Sequence, residues 1–386
     1  MFSFKKKSAA PAVESPPSIY CDAASTNARQ IFGASGLRLA DEPGKADLLW
    51  LRKGYRDWFS CLRQNQFINH LPNEEAITDK GLLTENLKWY DGKRPAGLLA
   101  LKDFYQETYR LYDEEERAAF FAQLPRQETP ENLWILKPGD SSSGCGIQIF
   151  NEFSELRDLY AHPERYGFDP IGSRHIIQRY IRNPLLLEGR KSEIRIYWLI
   201  ASMKPLRVLI YDEGTVRLNS QPFRLDDFDN TLIHVTNVYQ QKLHPNYDPD
   251  LVLKWRFADW EAYLTNKLQV APQGFVRNSL MPKLKEYLRF VVHATRRILS
   301  GMPRRGGFFG LYGADVILDD QLRPWLTEIQ KGPGISFDDP VKKDLIPRVL
   351  QETIAIMLEL QRSQRRGVVL KDLEARKHFE WVIQPE

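Results

Sequence analysis

The chain has 386 residues, of which 42% are hydrophobic, 27% charged and 12% aromatic, and its formal net charge is +4. This length can bury a large core and suggests two or three domains. The spacing of its three cysteines argues against a zinc site or a disulfide framework, no apolar run reaches membrane-spanning length, and the basic start lacks the hydrophobic region of a secretory signal. We therefore expect a globular cytoplasmic protein, not associated with membranes, with residues 1–17 as a flexible tail.

Residues 18–90 mix short apolar runs with helix-like segments, which predicts a small N-terminal α/β domain. The run KADLLWLRKGY (45–55) predicts a buried strand. DKGLLTENLKWY (79–90) has apolar residues at helical spacing behind Asp79, a residue type that caps helices. Residues 91–130 are charged and predict further helix, over 101–124 in particular.

Strands dominate from about residue 131. They are predicted at 132–137, 147–150, 175–181, 193–202, 206–214, 310–319 and 323–330. Helices are predicted at 153–162, in the long segment after Pro282, and over 339–363 with an interruption at Pro347. This order predicts a multi-lobed α+β architecture, with a central lobe at 91–180 and a C-terminal lobe of antiparallel strands at 181–386.

Basic residues cluster at Lys5–Lys7, Arg296-Arg297, Arg304-Arg305 and Arg362–Arg366. Such clusters either form a solvated surface or attract an acidic polymer. No nucleic-acid-binding motif is visible, so a nucleic-acid partner is not expected.

The stretch LKPGDSSSGCGI places Lys137 at the end of a strand and follows it with a loop of small residues. Glycines allow close approach of the backbone to a ligand, and consecutive N–H groups can bind phosphate oxygens. The loop leads to a strand and lacks GK[ST], so it is neither a Walker A loop nor a dinucleotide fingerprint. Taken alone, it is compatible with a purely structural turn.

Charged residues alternate along the later strand KSEIRIYWLI. Lys191, Glu193 and Arg195 share one face, and because the strand runs into the core, Arg195 requires a partner. Arg217 supplies another cation nearby in sequence. His234, Thr236 and Asn237 interrupt a β-branched stretch, which indicates either a hydrogen-bonded turn or a polar pocket wall.

The predicted hairpin at 310–330 carries three oxygen-bearing side chains. Glu328 and Gln330 are two residues apart and share one strand face, with Thr327 and Ile329 expected on the other. Asp315, on the preceding strand, is expected opposite Glu328. Oxygen ligands of this kind suit Mg²⁺, so the hairpin is a candidate magnesium site.

Several motifs, in this order, resemble the tubulin–tyrosine ligase and tubulin–tyrosine ligase-like family of the ATP-grasp superfamily. They are NQFINHLPNEEAITDKGLLTENL, WILKPGDSSSGCGI, IIQRYIRNPLLLEGRKSEIRIYWLI, HVTNVYQQK and GLYGADVILDDQLRPWLTEIQKGPG. The resemblance runs from about Asn65 to Asp344. It implies an ATP-grasp fold and an ATP- and Mg²⁺-dependent ligase that activates a carboxylate as an acyl phosphate, which the amine of a free amino acid then attacks.

The resemblance also implies roles for individual residues. Arg195, Arg217 and Glu328 would be catalytic, and Asp315, Glu328 and Gln330 would hold Mg²⁺. His234 would help to line the nucleotide and acceptor pocket. The ATP-binding set would be Lys137, Ser143, Gly144, Gly146, Ile147, Gln178, Arg179, Tyr180, Ile181, Lys191, Glu193, Thr236 and Asn237.

The sequence departs from the family pattern at Glu193, where Asp is usual, at Gln330, where Asn is usual, and in the turn after Gln330. Three functions are therefore considered. The first is a ligase that adds an amino acid to an acidic protein such as a tubulin tail. The others are an ATP-binding regulatory protein with impaired catalysis and a ligase for a small peptide or metabolite.

Overall fold

The structure is a computed structural model that describes residues 16–54, 56–124, 132–139, 144–300, 306–337 and 339–385. Its strands are β1 (Ser18–Cys21), β2 (Arg38–Leu39), β3 (Leu48–Trp50), β4 (Phe67–Ile68), β5 (Thr108–Arg110), β6 (Trp134–Lys137), β7 (Gln148–Phe150), β8 (Ile176–Arg179), β9 (Leu186–Leu187), β10 (Arg190–Met203), β11 (Leu206–Leu218), β12 (Lys254–Arg256), β13 (Gly307–Phe308), β14 (Gly310–Leu318), β15 (Pro324–Lys331) and β16 (Phe379–Ile383). Its helices are α1 (Thr26–Ala34), α2 (Arg56–Cys61), α3 (Glu75–Thr78), α4 (Lys80–Asp91), α5 (Glu114–Gln123), α6 (Ser154–Ala161), α7 (Thr231–His234), α8 (Val238–Leu243), α9 (Phe257–Ala262), α10 (Met281–Leu299) and α11 (Pro340–Arg365).

Three sheets organise these elements, and the predicted α+β class is confirmed. The N-terminal sheet is parallel, in the order β13-β4-β3-β1-β2, so its edge strand comes from much later in the chain. The central sheet is antiparallel, in the order β5-β8-β6-β7. The large antiparallel sheet runs β12-β11-β10-β14-β15, with β16 added to β11 and β9 to β10.

Two predicted elements differ from the structure. The segment 101–124, expected to be helical, contains strand β5, whose residues pair with β8. The helical region expected to break at Pro347 is one continuous helix, α11, that runs through this proline. A proline removes one intrahelical hydrogen bond, whereas buried residues on both sides of it, such as Ile346 and Leu350, pack into the core of the large sheet. That burial outweighs the lost bond.

The faces of strand β10 explain where the candidate site lies. Its even-numbered residues, including Trp198, pack in the core that also contains α10. Its odd-numbered residues Tyr197 and Leu199 pack in a second core, which α11 covers. Further towards the start of the strand the same odd face carries Glu193 and Arg195. One face of β10 is therefore apolar at Tyr197 and Leu199 and charged at Glu193 and Arg195, so this single strand connects the core to the charged cleft.

Candidate functional site

A cavity lies between the central sheet and the large sheet, with its walls contributed by both. Its lining residues are Lys80, Ile135, Lys137, Gly144, Ile147, Lys191, Glu193, Arg217, His234, Val235, Thr236, Asn237, Ile317, Thr327 and Glu328. The family resemblance implied that two of these residues, Arg217 and Glu328, are catalytic. It implied that seven others bind ATP, namely Lys137, Gly144, Ile147, Lys191, Glu193, Thr236 and Asn237. We call this space the inter-sheet cavity.

Two buried lysines mark one end of the inter-sheet cavity. Lys137 Nζ donates to Gln178 Oε1 at 2.8 Å, and Gln178 Nε2 donates to Thr108 Oγ1 at 2.9 Å. Burial lowers the pKa of Lys137 to about 8 and that of Lys191 to about 8. Loss of hydration on burial disfavours the charged form of each lysine, so an electron-rich or anionic ligand would stabilise the ammonium groups.

A chain of hydrogen bonds fixes Lys191. His234 Nε2 lies 2.8 Å from the carbonyl oxygen of Asp227, which requires a proton on Nε2 and leaves Nδ1 as an acceptor. Tyr180 therefore donates its hydroxyl to Nδ1 at 2.9 Å, and its oxygen accepts from Lys191 Nζ at 3.1 Å. Burial, with the nearby Lys191, lowers the pKa of His234 to about 4, so this histidine is neutral at physiological pH.

Behind the part of the cavity wall formed by Arg217 and Glu328, Asp315 is buried between two arginines. Arg195 donates through Nε to Oδ1 and through Nη2 to Oδ2 at 2.8 Å, and Arg217 Nη2 lies 2.7 Å from the same Oδ2. Burial alone would raise the pKa of Asp315, but the two guanidinium groups hold it well below its usual range. Gly313 makes room for this arrangement, because a Cβ there would lie 2.8 Å from Arg195 Cδ.

Glu328 and Gln330 project from one face of β15, as predicted, and the register pairs Glu328 with Asp315. Gln330 Nε2 donates to Glu328 Oε1, and its Oε1 accepts from Arg195 Nη2 at 2.9 Å. Lys80 Nζ lies 3.3 Å from Glu328 Oε2. Burial raises the pKa of Glu328 against the opposing charge of Lys80, and Asp315 adds to the rise.

Thr327 was predicted to face away from this group, and that prediction is wrong. A register shift after Asp315 places an extra residue in β15, and the bulge turns Thr327 into the cavity. Its hydroxyl lies 2.8 Å from Glu193 Oε1 and 3.1 Å from the carbonyl oxygen of Asp315. Glu193 also accepts from Thr236 and, at 2.8 Å, from Arg217 Nη2. Glu193 is thus held by three donors.

A second, larger space opens beside the inter-sheet cavity and shares Lys80, Arg217, Asn237 and Glu328 with it. This space, which we call the basic cleft, has a volume of about 820 Å³. Its charged lining is Arg52, Lys53, Lys80, Arg195, Arg217, Lys254, Lys331, Lys342 and one carboxylate, Glu328. Several of these cations pair with carboxylates behind the lining, among them Arg195 and Arg217 with Asp315 and Lys254 with Asp339. The surface that faces the cleft nevertheless carries mostly positive groups, which favours anionic ligands.

The family comparison agrees with this geometry. The sequence pattern of the "Tubulin-tyrosine ligase family" matches residues 60–366. The chain belongs to the tubulin-tyrosine ligase family. Membership confirms the resemblance seen in the motifs and agrees with the expected ATP-grasp architecture, and it supports the expectation of an amino-acid ligase.

Individual relatives in the family are similar at a moderate level. The probable tubulin polyglutamylase TTLL9 of Bos taurus is 29% identical over 81% of this chain and 72% of its own. The protein polyglycylase TTLL10 of Macaca fascicularis is 29% identical over 86% of this chain and 60% of its own. The inactive polyglycylase TTLL10 of Homo sapiens is 28% identical over 86% of this chain and 55% of its own. The chain thus spans about half to three fifths of the length of the TTLL10 relatives.

Not every residue implied by the family resemblance lies in the inter-sheet cavity. Arg179 points outward, with Nη2 at 2.9 Å from Glu107 Oε2 and its guanidinium over the ring of Trp134, so only its backbone could contribute. Among the described residues, the predicted site residues absent from the cavity lining also include Gly146, Gln178, Tyr180, Ile181, Arg195, Asp315 and Gln330. Arg195 and Gln330 line the basic cleft instead. Ser143 lies outside the described residues.

Sequence reasoning also missed Lys80 and Thr108. Lys80 is the first residue of α4, behind the N-cap Asp79. A cation is unfavourable at the positive end of a helix, so a lysine there is a usable signal for an anionic partner. No feature of the sequence indicates a role for Thr108, because this role depends on strand β5, which was not predicted.

The oxygen atoms of Asp315, Glu328 and Gln330 are the candidate Mg²⁺ ligands. The two carboxylates are paired across β14 and β15 and Gln330 bonds to Glu328, so three hard oxygen-bearing groups are adjacent. These donor types suit Mg²⁺, which keeps further positions for water and phosphate. Both oxygens of Asp315 and Oε1 of Gln330 contact arginine donors in this structure, so a bound ion would replace some of these contacts. Separately, no helix within the described part of the chain is long and apolar enough to cross a membrane.

Proposed function

We propose that this chain is an ATP-dependent ligase that joins an amino acid to a carboxylate of an acidic protein, such as a tubulin-like tail. The observation that carries the proposal is the position of Glu328 and Arg217, which line both the inter-sheet cavity and the basic cleft, beside Arg195 in the cleft lining and the buried Asp315 that binds both arginines. A nucleotide in the cavity and an anionic acceptor in the cleft would meet at this junction.

The proposed reaction has two steps. An acceptor carboxylate oxygen bonds to the γ-phosphorus of ATP and ADP leaves, which gives an acyl phosphate. The amine of the incoming amino acid then bonds to the acyl carbon, phosphate leaves, and the amine loses a proton to complete a peptide or isopeptide bond. Phosphoryl transfer of this kind depends mainly on positioning and on neutralising charge.

The residues of the inter-sheet cavity suit the nucleotide. Lys137 and Lys191 would contact the adenine or the phosphates, and the segment from Gln178 to Ile181 would provide backbone groups to the adenine. Thr236 and Asn237 line the wall beside Glu193. When bound at Asp315, Glu328 and Gln330, Mg²⁺ would neutralise phosphate charge.

The cations at the junction have distinct positions. Arg217 and Lys80 line both spaces, so their charges face any phosphate transferred from one to the other. Arg195 lines the basic cleft and directs three donors to Asp315, Gln330 and the carbonyl oxygen of Pro333. We propose that Arg195 orients the carboxylate of Asp315 and neutralises charge near the acceptor.

Mass spectrometry of acidic acceptor peptides, after incubation with ATP, Mg²⁺ and a mixture of amino acids, tests the proposal. A mass increase equal to one or more amino-acid residues, with matching ADP release, is expected. Absence of both with every acidic acceptor, in protein that binds ATP, would refute it. The proposal includes a cytoplasmic location, which accords with a cysteine spacing that does not indicate a disulfide framework.

The second candidate is an ATP-binding protein with impaired catalysis. It is favoured by Gln330, whose carboxamide oxygen accepts from Arg195 in this structure, and by one relative that is named inactive. Tight nucleotide binding with no ADP release, and activity gained in Gln330→Asn, would favour it over the first. A panel of free carboxylic acids as acceptors distinguishes a small-molecule ligase from both.

A further inference from the structure

A cavity of about 600 Å³ lies at the end of β10 that is remote from Glu193 and Arg195. Between Arg195 and Met203 the strand advances about 26 Å, at about 3.3 Å per residue. The walls come from the turn between β10 and β11, from β4 and β13, and from the C-terminal end of α11. The lining residues are Phe67, Ala201, Ser202, Met203, Lys204, Pro205, Arg207, Gly306, Gly307, Phe308, Leu360, Ser363, Gln364, Gly367, Val368 and Val369. We call this space the distal pocket.

A buried arginine forms part of the wall of the distal pocket. Arg207 is only 4% exposed. Its Nη1 donates to Ser202 Oγ at 3.2 Å and its Nη2 to the carbonyl oxygen of Leu370 at 2.7 Å, while Nε has no hydrogen-bond partner. Both acceptors are neutral. Within the described part of the chain, the positive charge of Arg207 therefore has no carboxylate to pair with.

This unpaired charge differs from that of the other deeply buried arginine, Arg195. Burial alone would lower the pKa of Arg195, but the carboxylate of Asp315 raises it above the usual range. Burial lowers the pKa of Arg207, and no carboxylate opposes the change. Buried charges in proteins are normally paired, because an isolated charge loses its hydration without compensation. An anion beside Arg207 would supply the missing partner.

The rest of the wall is mostly apolar. Phe67 and Phe308 are buried side chains of the lining, and Val369 lines the same space with a side chain that is 66% exposed. Apart from Arg207, the one charged group among the described lining residues is Lys204, and none of these residues is a carboxylate. A concave site of about 300 to 1,000 Å³ with apolar walls and a few polar groups is typical of small-molecule binding.

We propose that the distal pocket binds a small carboxylate that carries an apolar chain. The carboxylate would pair with Arg207, whose planar guanidinium matches a carboxylate, and the apolar chain would cover Phe67 and Phe308. A simple inorganic anion would leave these rings hydrated, and a neutral apolar molecule would leave the charge of Arg207 unpaired. No described residue of the distal pocket lines the inter-sheet cavity or the basic cleft, so this proposal does not depend on the proposed function.

Calorimetric titration of the full chain with octanoate, octan-1-ol and acetate tests the proposal. Octanoate is expected to bind about tenfold to a hundredfold more tightly than octan-1-ol, because hydrogen bonds to a charged group contribute about that factor. Hexanoate should bind about tenfold more weakly than octanoate, since each buried methylene contributes about fourfold. Acetate, which has the charge but no apolar chain, should give no heat at concentrations that saturate the protein with octanoate.

Two sets of variants locate the binding. Arg207→Met should lower the affinity for octanoate to that for octan-1-ol and leave octan-1-ol binding unchanged, which shows that the pocket is intact. Val369→Asp should weaken octanoate binding and Val369→Lys should strengthen it, each by about twofold to fivefold, the scale of exposed charge pairs. These two changes lie on an exposed side chain and spare the packed core. The matched controls are Val252→Asp and Val252→Lys, at a 64% exposed position outside the pocket lining, and they should match the unaltered protein.

Four results would overturn the proposal. Absence of octanoate binding, or equal affinities for octanoate and octan-1-ol, would show that Arg207 does not recognise an anion. Acetate binding as tight as that of octanoate would show a site for simple ions. Octanoate binding that both Val369 variants leave unchanged would place the ligand elsewhere on the protein. Each of these results is independent of ADP release, so it leaves the proposed function to its own test.

Discussion

Replacement of Glu328 by glutamine should abolish turnover and leave nucleotide binding intact. The junction contains three cations (Lys80, Arg195 and Arg217) and three carboxylates (Glu193, Asp315 and Glu328) in contact or in register. Glu328→Gln leaves this group with an excess positive charge, so the affinity for the polyanionic nucleotide should not fall. It also removes one of two carboxylates proposed for Mg²⁺, and we expect a loss of about a thousandfold in kcat, the scale of a lost electrostatic contact in the transition state.

The stability of this variant provides an internal check. Because the pKa of Glu328 is raised in the folded protein, its ionised form opposes folding at pH values above the ordinary range of a glutamate carboxyl. Removal of the charge should therefore leave the Tm at neutral pH equal or slightly higher, so lost activity cannot be ascribed to unfolding.

The assay compares ADP release, nucleotide affinity by calorimetry, and Tm for Glu328→Gln and for Glu164→Gln, a control at a side chain that is 70% exposed. The control should match the unaltered protein in all three. Retention of near-normal turnover by Glu328→Gln, with an unchanged requirement for Mg²⁺, would show that the carboxylate is not a metal ligand.

Three further predictions concern neighbouring groups. Gln330→Asn should retain ligase turnover, because the amide is kept at the family's usual length; a complete loss of ADP release would contradict this. Thr327→Val should weaken nucleotide binding by about threefold to tenfold, because Glu193 loses a hydrogen bond worth roughly 1 kcal/mol. Calorimetry would measure this loss of affinity, with Thr327→Ser, which keeps the hydroxyl, as the control. Nucleotide affinity should fall as the pH rises through about 8, because Lys137 and Lys191 have lowered pKa values and lose their charges there; a flat profile from pH 7 to about 9 would contradict their role as cationic ligands.

The hairpin that carries Asp315, Glu328 and Gln330 could be predicted because its signals are local. Alternation with a period of two fixes which side chains share a strand face, and a short turn fixes which residues pair across the hairpin. The structure shows this shared face and the pairing of Asp315 with Glu328. The charged face of β10 was predictable for the same reason.

Other contacts in the site depend on parts of the chain far apart in sequence. The bulge that turns Thr327 towards Glu193 exists only once β15 has paired with β14 and β14 with β10. Thr108 accepts a hydrogen bond from the side chain of Gln178. Thr108 lies in β5, a strand that forms by pairing with β8 in the central sheet. In both cases the local pattern is compatible with another conformation, and long-range pairing selects the one observed.

Lys80 shows how the three sheets meet at the site. It begins α4, its backbone N–H donates to the carbonyl oxygen of Gly139 just after the central strand β6, and its ammonium lies 3.3 Å from Glu328 on the large sheet. Asp79, beside it, caps α4 and also accepts from Arg174, which follows the central lobe helix α6. A movement of either sheet relative to α4 would change the distance between Lys80 and Glu328. The charge balance at the junction is therefore coupled to the relative position of the lobes, which is a physical reason for a lysine to occupy the otherwise unfavourable positive end of this helix.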